Sequence, residues 1–74
     1  MKFYYCNETA SYRNYTRVAA VFIDRDAAIV YASQPMRGGI YISEIVVRES
    51  RVFQPDRIVE VIKFNTKGEI INDK

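Results

Sequence analysis

A chain of 74 residues with no histidine and a single cysteine, Cys6, has to hold its fold without staples. One thiol makes no internal disulfide, and zinc loses its two commonest ligand types. The apolar core must therefore supply the stability, roughly 3–5 kcal/mol for a chain of this size, or a second copy must help. A chain this short supports one domain, residues 1–74. A lone cysteine suits a reducing compartment, so a cytoplasmic location is expected. The opening Met1-Lys2-Phe3-Tyr4-Tyr5-Cys6 has no apolar run long enough for a leader or a membrane span, and no membrane is expected as a partner. Two sequons, Asn7-Glu8-Thr9 and Asn14-Tyr15-Thr16, read as chance in a polar hairpin.

The same absences narrow the chemistry. Without histidine there is no Ser-His-Asp or Cys-His arrangement. Ser43 has no base to activate it, and Cys6 on an apolar strand reads as an inert core thiol. Asp24 and Asp26 bracket Arg25 and read as helix capping. Glu44 and Glu60 would repel if they were cross-strand neighbours; facing solvent, they would pair with Arg48 or Lys63. No enzyme activity, cofactor or metal is expected.

Periodicity sets the elements. Lys2 to Cys6 alternates and reads as a strand, with Asn7 to Ala10 as a turn. Tyr12 to Ile23 is a longer strand, and its apolar run Val18 to Ile23 suits burial on both faces. A rival parse makes Arg17 to Ser33 one helix; the charges at Asp24-Arg25-Asp26 argue against it. Asp24 caps a helix running roughly to Gln34, with Ala28, Tyr31 and Ala32 on its sheet-facing side. Pro35 and Gly38-Gly39 end it, and the glycine pair reads as a connecting turn rather than a phosphate cradle. Ile40 to Arg48 is a strand. Residues 49–57 are turn-like, with Val52 and Phe53 tucked inward. Ile58 to Phe64 and Glu69 to Ile71 are strands joined by Asn65-Thr66-Lys67-Gly68.

The order β-β-α-β-β-β gives the expected class, α+β: a two-layer domain with one helix on an antiparallel sheet. The expected core is Phe3, Val18, Val21, Phe22, Ala28, Tyr31, Ile42, Ile45, Val61 and Ile62.

A net charge of +2 does not by itself call for nucleic acid, but seven of the eleven basic residues are arginine, which favours flat or bidentate recognition. Two groups are candidate binding residues. Tyr12, Arg13, Tyr15 and Arg17 form the first, with Arg13, Tyr15 and Arg17 expected on one strand face. A ring between guanidiniums suits a protein anchor or a stacked base. Arg48, Arg51 and Arg57 form the second.

The plan resembles that of small phage- or mobile-element-encoded inhibitors and regulators. A hairpin leads to a helix that opens as Ile23-Asp24-Arg25-Asp26-Ala27-Ala28 and continues to Tyr31-Ala32. A meander follows, ending Lys67-Gly68-Glu69-Ile70-Ile71. This is a likeness of architecture, and it implies binding to a larger host protein or complex. The expected function is thus a non-enzymatic protein-binding module. The alternatives are a single-stranded nucleic-acid binder using Tyr12, Tyr15 and the arginines, or a structural subunit of a homo-oligomer. Ten aromatics among 74 residues are hard to bury, so a homodimer is expected.

Overall fold

The computed structural model describes residues 1–71. It holds six elements: β1 (Lys2–Ala10), β2 (Thr16–Phe22), α1 (Arg25–Ala32), β3 (Ile40–Arg51), β4 (Gln54–Phe64) and β5 (Ile70–Ile71). The order β-β-α-β-β-β matches the sequence expectation, and the class is α+β. The five strands form one antiparallel sheet in the order β2-β1-β3-β4-β5. The sheet curls into a half-barrel with one short helix on it, so the arrangement is not clearly two-layered.

The helix is short for readable reasons. Asp24 accepts a hydrogen bond from the Ala27 N–H at 3.0 Å, and Asp26 lies in the positive first turn. Ser33 closes the other end, its N–H donating to the Ile29 and Val30 carbonyls. The rival single helix is excluded, because residues 16–22 form β2. Arg37 and Ile40 then exchange backbone hydrogen bonds around Gly38 and Gly39, both at positive φ. That turn suits a tight hairpin and supplies the connection read from the glycine pair. Gly68 is needed for a different reason. At φ +82 it passes so close to the helix end that a Cβ would lie 2.6 Å from the Ser33 carbonyl oxygen.

The register sorts the sheet into rows, since directly opposed residues share a face. Ala20–Cys6–Ile45–Ile62 and Phe22–Tyr4–Val47–Glu60 are two such rows. Both belong to the face under α1. Tyr4, Cys6, Ile42, Ile45, Val47, Ile62 and Phe64 pack there with Ala28 and Ala32, and Ala19, Phe22 and Ile29 border the cluster. Ala28 and Ala32 let the helix backbone come close; the Cys6 sulfur lies 4.0 Å from the Ala28 carbonyl oxygen. Between these two rows runs Val21–Tyr5–Val46–Val61, which therefore points to the opposite face, where no element of the described residues lies.

Several expectations are corrected here. Val18, Val21 and Val61 are about half exposed, because they stand on the uncovered face. Tyr31 is exposed at the helix flank, its ring tilted by 53° against that of Phe22 at 5.4 Å between centres, and Phe3 is only half-buried. Tyr4, Val47 and Phe64 take their places in the core. β2 is an edge strand and is not buried on both faces. The segment 49–57 is not a set of turns. β3 and β4 run on to a two-residue hairpin at Val52-Phe53, and both residues are exposed rather than tucked in. Twelve residues in β3, at about 3.4 Å each, account for the 41 Å long axis.

This partition is measurable. Ile45→Ala should lower stability by about 2–5 kcal/mol, which is most of what such a domain has. Val61→Ala, on the uncovered face of β4, should change the stability of the monomer by no more than about 0.5 kcal/mol when measured at concentrations too low for self-association. Urea titrations of the two variants give both figures, and the order should not reverse.

Candidate functional site

The two groups of candidate residues lie at opposite ends of the sheet. The first is the β1–β2 connection. Tyr12 and Arg13 precede β2, as does Tyr15, so Arg13, Tyr15 and Arg17 do not share a strand face as the alternation suggested. Tyr15 and Arg17 converge on Glu8 instead. The Tyr15 hydroxyl donates to Glu8 Oε2 at 2.9 Å, and Arg17 Nε donates to the same oxygen at 3.2 Å. Arg13 lies over both rings, 4.8 Å from the centre of Tyr15 and 5.8 Å from that of Tyr12. Loss of exposure and the hydrogen bond to Glu8 both push the Tyr15 hydroxyl above its ordinary pKa. The loop thus turns much of its recognition chemistry inward, onto a carboxylate of its own chain. Tyr12 stays exposed.

The second group is the β3–β4 hairpin, which carries Arg48, Arg51 and Arg57. Arg57 donates through Nε and Nη2 to Glu49 Oε1, and this hydrogen bond holds the Glu49 carboxyl below its ordinary value. Arg51 donates through Nε and Nη2 to the Pro55 carbonyl at 3.1 and 2.8 Å. It therefore braces the turn without meeting a carboxylate, so its charge is not neutralised. Arg48 lies over the Tyr5 ring at 5.7 Å, on the uncovered face. Beyond these arginines stand Val52, 78% exposed, and Phe53, 102% exposed.

The tip has a further peculiarity that no sequence pattern flagged. Phe53 adopts φ 59, the sole non-glycine residue at positive φ among the described residues. A bulky residue there is strained by about 1–3 kcal/mol. Glycine or asparagine is the usual occupant of such a turn position. The fold bears that strain and also leaves a whole phenyl ring in water.

The remaining carboxylates serve the fold. Glu60 and Arg25 form a two-pronged pair, Nη1–Oε1 at 2.7 Å and Nη2–Oε2 at 3.3 Å, which ties the helix start to β4. Glu60 is thus paired with Arg25 rather than with Arg48 or Lys63, and it does not oppose Glu44; Val47 lies across from it. Glu44 accepts from Asn7 Nδ2 at 3.0 Å. Ser43 meets the Thr9 hydroxyl at 2.7 Å. Burial pushes the Cys6 thiol up to about 11, so it stays protonated in the folded protein. Among the described residues no three His, Cys, Asp or Glu side chains cluster as metal ligands, and no helix is long and apolar enough to cross a membrane.

A cleft of about 860 Å³ opens between the helix end and the sheet, lined by Tyr31, Met36, Arg37, Tyr41 and Ile42 among others. A smaller groove of about 350 Å³ lies on the uncovered face beside Tyr5, Val46 and Arg48. No protein-family model, curated protein or solved structure matches this chain.

The Arg25–Glu60 pair gives a pH dependence of known sign. Its hydrogen bond holds the Glu60 carboxyl below the ordinary 4.5. A carboxylate whose folded pKa is lowered adds stability above its unfolded value and loses it as pH falls through the folded value. Both partners are nearly half exposed, so the pair contributes at most about 1 kcal/mol. Arg25→Met should lower the melting temperature by a few degrees at neutral pH, and the gap should close as pH falls below the ordinary carboxylate value. Thermal melts across that range read both effects.

Proposed function

We propose that this chain is a non-enzymatic protein-binding module, a small regulator or inhibitor that docks on a larger protein through the β3–β4 tip. The observation that carries the reading is Phe53. It is fully exposed, so its ring contributes no packing to the fold, and its backbone is strained. A side chain that costs the free protein stability and presents a rigid ring at the end of a long hairpin is suited to filling a pocket elsewhere. Aromatic rings beside arginine are the groups that dominate interface energetics. Arg51, braced on the Pro55 carbonyl with N–H donors to spare, favours a partner whose apolar pocket has an acidic rim. An inhibitor or regulator of this kind is what the expected likeness to phage and mobile-element proteins implies, and a reducing cytoplasm would suit the lone Cys6.

The nucleic-acid reading draws less support. Its stacking residue Tyr15 and its cation Arg17 are both engaged by Glu8. A reading with Cys6 as nucleophile draws no support, because that thiol is buried and protonated.

Phe53→Gly separates binding from folding. Glycine relaxes the positive φ and removes only a solvated ring, so the variant should melt at or above the wild-type temperature. It should also lose, by tenfold or more in affinity, the partner that wild-type protein captures from its source cell. A variant that melts unchanged and keeps its partner would remove the tip from the interface. Steeply salt-dependent binding to a labelled oligonucleotide would favour the nucleic-acid alternative.

A further inference from the structure

The face of the sheet opposite α1 carries an apolar row, Val21–Tyr5–Val46–Val61, across four strands. An antiparallel sheet with one solvated face ordinarily alternates apolar inside with polar outside. Here the uncovered face also keeps an apolar row, and Val21 and Val61 remain 48% and 44% exposed. The outer edge of β4 is a different matter. Pro55, Asp56, Arg57 and Glu60 guard it against a further strand, so recruitment by edge pairing is disfavoured.

Two rows flank the apolar one on the same face. On one side lie Val18–Asn7–Glu44–Lys63, and on the other Phe3–Arg48–Ile58. Their arrangement is self-complementary under one symmetry operation. A two-fold axis along the Val21–Val61 row, at right angles to the strands, lays each apolar row on its copy and exchanges the flanks. Glu44 then faces the copy's Arg48, Asn7 faces Phe3, and Lys63 lays its methylene stem towards Ile58. A two-fold axis parallel to the strands would keep each flank over its own kind instead. Only the first operation sets opposite charges against each other.

We propose that this face is the contact of a homodimer in which two sheets pack face to face with their strands running in opposite directions. A face four strands wide and seven residues long, the length of β2, offers about 450 Å² per chain at about 4.8 Å per strand and 3.4 Å per residue, and long side chains at its rim add to it. That reaches the roughly 1,000 Å² total that a specific interface needs. The contact is isologous, so each Arg48–Glu44 pairing occurs twice. The reversed strand directions also place the two Phe53 tips at opposite ends of the assembly, clear of the contact.

Charge reversal tests this symmetry directly. Wild-type protein should sediment at about twice 8.6 kDa at around 100 μM. Arg48→Glu and Glu44→Arg should each raise the dissociation constant about tenfold or more, because each sets like charges together at two places. The double reversal should bring it back to within about threefold of wild type. Thermal melts show whether each variant is folded. Should either charge variant unfold, Val46→Lys at the centre of the row serves in its place, and it should give a folded monomer. A wild-type monomer at that concentration, a double variant no tighter than the singles, or a folded Val46→Lys dimer would each overturn the proposal.

Discussion

Everything in this fold depends on the seating of Ala28 and Ala32 against Cys6, Ile45 and their neighbours. These are the most completely buried groups in the molecule. Two methyl side chains on one helix face let the backbone of α1 approach the centre of the β1–β3 ladder. Larger residues at either position would lift the helix and open the only densely packed layer. The bidentate Arg25–Glu60 pair and the close passage of Gly68 under the Ser33 carbonyl hold the two ends of the same helix. With a single cysteine and no cluster of metal-ligating side chains among the described residues, stability is concentrated on one side of one sheet.

That concentration explains what is left exposed. Eight helical residues cannot cover a five-stranded sheet, so the other face keeps Val21, Tyr5, Val46 and Val61 without cover. The hairpin that ends in Phe53 runs past β1, whose last contact with it is the Met1 carbonyl on the Ser50 N–H. The core therefore fixes two surfaces it does not use: a self-complementary sheet face and a strained aromatic tip. They point in different directions, so one can serve assembly while the other meets a partner.

Much of the fold was legible in the sequence. The Asp24 cap, the Gly38-Gly39 turn and the Asn65–Gly68 hairpin each carry a local signal and formed as read, whereas β1 and β3 were read too short: Asn7 to Ala10, expected as a turn, continues β1, and β3 runs on past Arg48 to Arg51. Which face the helix covers carries no local signal. Both faces of β4 are apolar at residues 61 and 62, so Val61 and Ile62 look alike until register and helix placement decide between them. The β3–β4 hairpin was missed because Val52-Phe53 is a turn without turn residues; Pro55 and the charges around it pointed to a loop. The arginines at 48, 51 and 57 were legible as a group, but their setting on one projecting hairpin was not. The Tyr12–Arg17 cluster was legible in composition and misjudged in geometry, because Glu8 lies far enough back in the sequence to be overlooked as its partner.

Hydrogen exchange of the backbone amides tests the central claim most directly, since it maps where the stability resides. The account predicts the slowest exchange at the centre of the β1–β3 ladder, around Tyr4, Cys6, Ile45 and Val47, at rates set by global unfolding. It predicts exchange several orders of magnitude faster in the hairpin from Arg51 to Gln54, which is held by its own ladder alone. Uniform protection along the whole of β3 and β4, tip included, would contradict it, because the tip would then belong to the core rather than to a surface the core leaves free.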